Sequence, residues 1–264
     1  MTPKRYWRDM ASTMFGAHCA DWIAVLPLAA VEQHGPHLPV GVDAFIAEGL
    51  IERCAAKLSD DRPVTFLPLQ QVCKSNEHIN FAGTLTLDWE TTIKSWLQIG
   101  DSIARAGVRK LVMITSHGGN VAPMDIVARE LRQRHAMLVV TTSFGRLGDW
   151  QNIYDYSKVV TDIHGGNAET SLMLALRPDL VDMTKAEDFA SRQTDLKAHH
   201  HHLGLHSSNA NIAWLAEDLN PAGVVGDATA ANAENGERDI ASIVAGFCQL
   251  IEELNDTNPP IRSS

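Results

Sequence analysis

Three short segments of the chain combine histidine with acidic residues and glycine, a combination that can hold a cation. Their ionisable residues are Glu32, His34, His37, Asp43, His117, His164 and Glu169. Carboxylate and imidazole ligands together suit Zn²⁺, Mn²⁺ or Fe²⁺ better than calcium or copper. The residue types therefore predict a transition-metal site, provided that the fold brings the three segments together.

In the first segment, Glu32 and His34 occupy alternate positions and point the same way if the chain is extended there. Asp43 stands at a predicted helix start and can fold back across the Gly/Pro loop. His37 follows His34 by three residues and does not easily share its direction, so we expect it to hydrogen-bond a ligand or the substrate. The alternative is an ordinary polar loop in which both histidines bond backbone carbonyls.

The other two segments each place a His-Gly-Gly-Asn sequence before a helix. In residues 116–120, Gly118 and Gly119 leave room for a ligand beside His117, although such a turn could instead cradle a phosphate. The second copy begins at His164, and its helix carries Glu169 in the first turn, where the helix dipole favours a carboxylate. The alternative there is a capped helix with an exposed Glu169. Three loops with the same ligand types make a shared metal site the stronger prediction.

Apolar runs that suit buried strands alternate with amphipathic stretches that suit helices. The predicted strands are 23–28, 64–69, 110–115 and 137–143, and the predicted helices are 42–58, 89–106, 123–133, 168–176 and 234–254. This βαβα order predicts an α/β fold, a three-layer α/β/α sandwich with a mainly parallel central sheet. Ligands collect at the carboxyl ends of such strands, where the first two segments begin. We expect one domain over residues 1–264, loop-rich at 191–225 and with a disordered tail at 255–264.

The composition excludes several classes of protein. With 264 residues and 45% hydrophobic side chains, the chain can bury a large core, which excludes a disordered or fibrous protein. Its 22 Lys and Arg against 32 Asp and Glu give a formal charge of -10, so we expect no nucleic acid partner. No apolar run approaches the roughly 20 residues of a membrane span. No signal region follows the first residues, and the four cysteines lack CxxC spacing, so we expect free thiols, no membrane partner and a cytoplasmic location.

These motifs, in chain order, resemble those of the creatininase (creatinine amidohydrolase) family. The resemblance rests on residues 32–39 with Asp43, on residues 116–120, and on residues 164–171. Residues 75–84 look like the family's Ser-x-Glu-His and Phe-Pro-Gly-Thr segment, and residues 223–236 look like its late glycine-aspartate stretch. The matching motifs cover most of the chain.

The resemblance implies a two-metal hydrolase that usually assembles as a homohexamer. Glu32 and His117 would hold one divalent ion, and His34 and Glu169 would hold the other. Asp43 would bridge the two ions, which could be Zn²⁺, Mn²⁺ or Fe²⁺. Two divalent ions and three carboxylates leave one positive charge, which a bridging hydroxide would neutralise before it attacks a substrate carbonyl.

The same resemblance places the remaining site residues. His164 would be the catalytic acid/base that protonates the leaving group, since imidazole titrates near neutral pH; the alternative is a histidine that only orients another group. Asn120 is placed with His37 among the residues that support the ligands. Residues expected to contact the substrate are Ser75, His78, Gly118 and Gly119. For Ser75 and His78 the alternative is a purely structural place in their loop.

The match loosens after His117, where creatininases proper carry Tyr and Glu and this chain has Gly118 and Gly119. Loss of a bulky wall argues against creatinine itself as the substrate. The leading hypothesis is hydrolysis of a small polar cyclic amide or another non-peptide C–N bond. Two alternatives stay open: the same site could open a ring ketone or lactone by C–C or C–O cleavage, or the chain could be a non-catalytic metal- or ligand-binding protein.

Five of the 12 histidines lie close together, at residues 199–202 and at His206. Four adjacent histidines cannot all face one metal ion in a regular structure, although two at alternate positions could bind a surface ion. We expect a solvated or subunit-interface loop here. The alternative is that one of its residues reaches the mouth of the active site.

Overall fold

The computed structural model of the protein describes residues 2–155 and 161–258. Their helices and strands, in chain order, are β1 (Ile23–Leu28), α1 (Val42–Lys57), β2 (Val64–Phe66), α2 (Trp89–Arg105), β3 (Lys110–Thr115), α3 (Val121–His135), β4 (Leu138–Ser143), α4 (Trp150–Ile153), α5 (Asn167–Leu176), β5 (Asp188–Phe189), α6 (Arg192–His199), β6 (Leu203–Gly204), β7 (Ala210–Asn211), α7 (Ala216–Leu219), β8 (Gly226–Asp227) and α8 (Ala233–Asn255). Short 3₁₀ turns join several of them.

The central sheet is parallel, as the alternation of strands and helices predicted. Its strand order is β2-β1-β3-β4. Ile23 of β1 is in register with Val64 on one side and with Lys110 on the other, and Lys110 is in register with Leu138. Every residue of β1 and β3 is buried, which explains why both read as continuous apolar runs.

Alternate residues of the strands pack against opposite layers of helices. Ile23 and Val25 belong to an apolar cluster that includes residues of α1, α5 and α8. Ala24 and Leu26 belong to a second cluster with residues of α2 and α3. Because side chains alternate along a strand, one sheet covers two cores, and the three-layer α/β/α sandwich is confirmed.

Element boundaries differ from the predicted ones for local reasons. Strand β2 ends at Phe66 rather than at 69, since Pro68 has no N–H to continue the ladder. Helix α3 begins two residues before Pro123, whose missing N–H costs nothing in a first turn. The stretch 191–225 contains the short helices α6 and α7 between loops. Helix α8 reaches Asn255, and residues 259–264 of the predicted tail lie outside the described residues.

The longest described helix, α8, has 23 residues and exposes charged side chains, including Glu234 and Arg238. Among the described residues, no helix is both long and apolar enough to cross a membrane.

Candidate metal centre and active site

The ends of two neighbouring strands and the starts of two helices bring the predicted ligands together. Glu32 and His34 follow β1, and His117 follows β3, directly beside it in the sheet. Asp43 lies in the first turn of α1, and Glu169 in the first turn of α5. All of these side chains are buried except that of Glu169, which is 22% exposed. The carboxyl edge of the sheet is therefore the candidate site.

The predicted ligand atoms form two three-residue clusters that share one oxygen, and Glu32 and His34 form a third cluster with His164. In the first cluster, Nδ1 of His117 lies 3.2 Å from Oε1 of Glu32 and 3.9 Å from Oδ2 of Asp43. In the second, Nε2 of His34 lies 3.8 Å from the same Asp43 oxygen and 3.6 Å from Oε2 of Glu169. Ligands about 2.1 Å from one tetrahedral ion are roughly 3.4 Å apart, so both clusters have the spacing of a metal site.

Several of these buried atoms lack a hydrogen bond of good geometry. They are both carboxylate oxygens of Glu32, Nε2 of His34 and Oδ2 of Asp43. Leaving a buried polar atom unpaired costs about 1–3 kcal/mol, and more for a charged group. Unpaired acceptors that all point into one space are what a set of metal ligands requires, so the residues present fit a pair of divalent ions.

In His34 and His117, one ring nitrogen is hydrogen-bonded to a backbone oxygen. The other ring nitrogen is left free to bind a metal ion. Nδ1 of His34 lies 3.0 Å from the backbone oxygen of Glu32, which can only accept, so Nδ1 donates and Nε2 keeps its lone pair. Nε2 of His117 likewise donates to the backbone oxygen of Lys74 at 3.0 Å, and Nδ1 faces Glu32. Bonds of this kind fix the orientation of metal-binding histidines.

Crowded charges move the pKa values of the cluster in opposite directions. Burial would raise the pKa of Glu32, but the adjacent His117 lowers it well below its usual range. Burial would lower the pKa of His117, but the charge of Glu32 outweighs it and raises that pKa. Burial and the charge of Glu32 raise the pKa of Asp43. Burial lowers the pKa of His34 to about 4. The site therefore favours positive charge near Glu32 and keeps His34 neutral.

Two further histidines lie against Glu32. Nδ1 of His164 is 3.6 Å from Oε1 of Glu32, and Nε2 of His78 is 3.3 Å from the same oxygen. The ring centroids of His78 and His164 are 4.2 Å apart. Burial lowers the pKa of each of them to about 4. Sequence reasoning expected His78 to contact the substrate, whereas the structure also places it against a candidate ligand.

Three predicted residues lie behind the site. Asn120 donates to the backbone oxygen of Ala29 at 3.0 Å, which ties the β3 turn to β1. His37 contacts the hydroxyl of Thr170 at 3.0 Å, next to Glu169, and among the described residues it belongs to no three-ligand cluster. Ser75 is fully buried, although its neighbours face the site. The substrate contact of Ser75 and the contact of His37 with a ligand or the substrate stay predictions.

A cavity of about 520 Å³ opens onto the centre. It is lined by Gly118, Gly119, His78 and His164, with Trp214 and Leu215 as an apolar wall. A Cβ atom at Gly118 would meet nothing within 4 Å, so the turn leaves open space beside His117. The volume suits a small molecule or a short segment of a larger one.

Sequence reasoning missed two residues that touch the site. Oε1 of Glu77 lies 3.3 Å from Nε2 of His117, and Oε2 lies 3.2 Å from Nζ of Lys74. Burial would raise the pKa of Glu77, but His117 and Lys74 lower it to about 2. The amide of Gln33 reaches His78 at 3.0 Å. Both residues lie inside the motifs that carry the family resemblance, directly beside a predicted site residue in the sequence. That position is the signal by which the sequence could have indicated them.

The adjacent histidines at 199–202 are exposed. Among the described residues, neither they nor His206 belong to a three-ligand cluster. Lys197 and Ser207 of the same region do line a second cavity of about 610 Å³, which shares Ser116, Ile163 and Glu169 with the first. The region therefore approaches the active site without its histidines.

A comparison with known protein families matches residues 8–251 to the family described as creatininase, creatinine amidohydrolase. The chain belongs to the creatininase family. A creatinine amidohydrolase of Pseudomonas putida is 32% identical over 197 residues, which are 69% of this chain and 74% of that protein. A mycofactocin precursor peptide peptidase of Mycobacterium ulcerans is 31% identical over 240 residues, which are 84% of this chain and 82% of that protein.

Solved creatininase structures share the fold. A crystal structure of creatinine amidohydrolase (creatininase) has a TM-score of 0.76 and 26% identity, and the match covers 96% of this chain and 99% of that one. A structure described as creatininase Mn has a TM-score of 0.75 and 25% identity, covering 97% and 100%. The family predicted from the motifs is confirmed.

Proposed function

We propose that the protein is a metal-dependent hydrolase that cleaves a C–N bond next to a carbonyl group. The observation that carries this proposal is the pair of clusters that share Oδ2 of Asp43 and in which the carboxylate oxygens of Glu32, Nε2 of His34 and Oδ2 of Asp43 are buried and unpaired. Membership of the creatininase family supports it. Two relatives with different named substrates are called an amidohydrolase and a peptidase.

The residues proposed to hold the ions are Glu32, Asp43 and His117 for one and His34, Asp43 and Glu169 for the other. When bound, such a pair activates a water molecule and polarises the carbonyl group of the substrate. Zn²⁺, Mn²⁺ and Fe²⁺ all suit these ligands, and the solved neighbours include a manganese form and a mutant of zinc–zinc type, which supports Mn²⁺ or Zn²⁺.

His164 is proposed to carry the proton to the leaving nitrogen. It lines the cavity, and its Nδ1 lies 3.6 Å from Oε1 of Glu32, so it can reach a group that reacts at the centre. Amide hydrolysis adds water across the C–N bond, so the departing nitrogen must gain a proton before an amine leaves. A positioned imidazole contributes about 10²–10⁴-fold to such a step.

The substrate is proposed to be a compact polar amide or the end of a short peptide. The relatives leave open the restriction to non-peptide bonds that the sequence suggested, because one of them is named a creatinine amidohydrolase and another a peptidase. Open space beside Gly118 leaves room for atoms on the far side of the scissile bond. Ring ketones and lactones need the same polarised carbonyl, but the two relatives named for their C–N substrates favour the amide.

Metal analysis of the purified protein, combined with one variant, tests this function. We expect about two transition-metal ions per chain, as in other two-metal hydrolases. We expect His164→Asn to keep its metal and to lose about 10²–10⁴-fold in turnover. The matched control is His135→Asn, since His135 pairs with Asp101 on the outer helices.

The substrate screen uses metal-loaded protein with creatinine, short peptides, ring ketones and lactones, and it identifies each product by mass spectrometry and NMR spectroscopy. Less than about one ion per chain would refute the metal centre. Metal without turnover of any compound would favour the non-catalytic alternative, and turnover of ring ketones or lactones alone would favour C–C or C–O cleavage.

A further inference from the structure

Gln33 lies between two candidate ligands in the chain, and its buried side chain reaches two histidines of the site. Its Nε2 is 3.0 Å from Nδ1 of His78 and 3.2 Å from Nε2 of His164. The residue is only 7% exposed. We propose that Gln33 is a positioning residue that determines which nitrogen of His78 and of His164 carries the hydrogen.

The two ends of the Gln33 amide can be told apart by their partners. The backbone N–H of Gly35 donates to Oε1 at 2.9 Å, so the oxygen lies on that side. The other end lies 2.5 Å from the backbone oxygen of Gly223, which can only accept, so the NH₂ group lies there. If the amide were flipped, its NH₂ group would face the N–H of Gly35, a donor against a donor. Its oxygen would face the oxygen of Gly223, an acceptor against an acceptor.

The backbone of Gln33 sets the state of His164. Nε2 of His164 lies 2.7 Å from the backbone oxygen of Gln33, and this oxygen can only accept. Nε2 therefore carries a hydrogen and donates it. In neutral His164 the bare nitrogen is then Nδ1, which faces Glu32 and the cavity.

The side chain of Gln33 sets the state of His78. Of the two amide hydrogens, one points to the oxygen of Gly223. The second cannot go to Nε2 of His164, since that nitrogen is already a donor, so it goes to Nδ1 of His78. Neutral His78 then carries its hydrogen on Nε2, which faces Oε1 of Glu32 at 3.3 Å. A hydrogen in this position attracts the carboxylate and holds Glu32 in place.

Gly223 makes the arrangement possible. A Cβ atom there would lie 2.6 Å from Nε2 of Gln33, and its φ of +75° is one that favours glycine. The glycine thus lets a backbone oxygen approach the amide closely. This assigns a role to the start of the late glycine-aspartate stretch, which the motif alone did not explain.

The consequence for catalysis rests on the proposed function. The proton that His164 moves would be held at Nδ1, and His78 would support Glu32 instead of binding metal. The assignment of hydrogens itself stands without that function, because it follows from hydrogen-bond partners alone.

The test is NMR spectroscopy of the full chain, with its histidines labelled with the NMR-active nitrogen isotope. Spectra are recorded for the protein as purified and after addition of zinc. Two-bond proton–nitrogen correlations show which ring nitrogen carries hydrogen, and loss of signals in His78→Gln and His164→Gln assigns the rings. We expect hydrogen on Nε2 of both histidines. In Gln33→Met we expect His78 to populate both tautomers and His164 to stay unchanged, because the backbone oxygen remains.

The matched control is Gln193→Met. Gln193 is also fully buried, and its amide bonds the backbones of Leu205 and His206 away from the centre. We expect it to leave His78 unchanged, while Gln33→Met lowers zinc affinity about 10–100-fold.

Hydrogen on Nδ1 of His78 in the unchanged protein overturns the proposal, even if Gln33→Met fails to fold. An unchanged tautomer of His78 in a folded Gln33→Met variant also overturns it. A zinc affinity of that variant within twofold of the unchanged protein would show that His78 does not hold Glu32 in place for metal binding. Absence of zinc binding refutes the proposed function, while the tautomers of the protein as purified still decide this inference.

Discussion

The acidic group beside Nε2 of His117 comes from residue 77, in a different loop. A Cβ atom at Gly119 would lie 2.0 Å from Oε1 of Glu77 and 2.4 Å from Nε2 of His117. The glycine is therefore what allows Glu77 to reach the histidine. The creatininases proper of the sequence comparison carry Glu shortly after this histidine. In this chain Gly119 is there instead, and the carboxylate comes from Glu77 in another part of the sequence.

A methyl group at position 119 should expose this dependence. Gly119→Ala forces the Glu77 carboxylate or the His117 ring to move, so we expect zinc affinity to fall about 10–100-fold. The matched variant is Gly118→Ala, whose Cβ meets nothing within 4 Å and should leave zinc affinity unchanged. Calorimetric titration of the metal-stripped proteins makes the comparison. Equal affinities in the two variants would rule out the role assigned to Glu77.

At the scale of the elements, helix α8 positions the ligand helix α5. A Cβ atom at Gly236 of α8 would lie 2.0 Å from the backbone oxygen of Ser171 in α5, so the two helices pack directly on each other. The hydroxyl of Ser171 also accepts from the backbone N–H of Asn232, just before α8. Glu169 stands two residues before Ser171, and the C-terminal helix therefore holds it at the site.

The pH dependence of stability should report on a buried acid of α8. Asp239 is 4% exposed, its Oδ2 accepts from the hydroxyl of Tyr154 at 3.2 Å, and burial raises its pKa from 3.8 to about 6. Because the folded state binds this proton more tightly than the unfolded chain, its contribution to stability is present at low pH and is lost as pH rises through about 6.

We therefore expect Asp239→Asn to gain stability relative to the unchanged protein between pH 4 and pH 6, by at most about 3 kcal/mol. Urea unfolding at a series of pH values measures this difference, in which the contributions of other groups cancel. A difference that stays constant with pH would show that Asp239 does not bind a proton in this range.

At the scale of the whole molecule, large apolar side chains are exposed on one stretch of chain. Between residues 72 and 89, the exposed fractions of Ile79, Leu85 and Trp89 are 59%, 53% and 59%. Val40 lies beside this stretch, because a Cβ atom at Gly83 would be 3.1 Å from it. Exposed apolar groups are typical of an interface, so this stretch is where we expect the homo-oligomer implied by the family resemblance to form its contacts.

Assembly should depend on this stretch. We expect the protein at micromolar concentration to have a mass well above the 28.9 kDa of one chain, and Trp89→Lys to reduce that mass. The control is Ile126→Lys on α3, which changes a side chain of 49% exposure elsewhere on the surface. Light scattering coupled to size-exclusion chromatography measures both. A monomeric unchanged protein would refute the expectation.

The sequence by itself determined the layered fold and the candidate ligands. Strands buried on both faces are apolar along most of their length, so β1 and β3 are visible as mostly apolar runs. Polar residues directly after such strands must lie at one edge of the sheet, which brought Glu32, His34 and His117 together in the prediction. Both inferences need only local pattern and general rules of α/β topology.

Only the tertiary structure decided how these ligands are supported and where other residues lie. Gln33 contacts His78 across 45 residues and His164 across 131 residues of chain, and Glu77 enters a space that a glycine 42 positions later leaves open. Such contacts depend on which loops meet after folding, and the local spacing of residues in a single sequence does not contain that information.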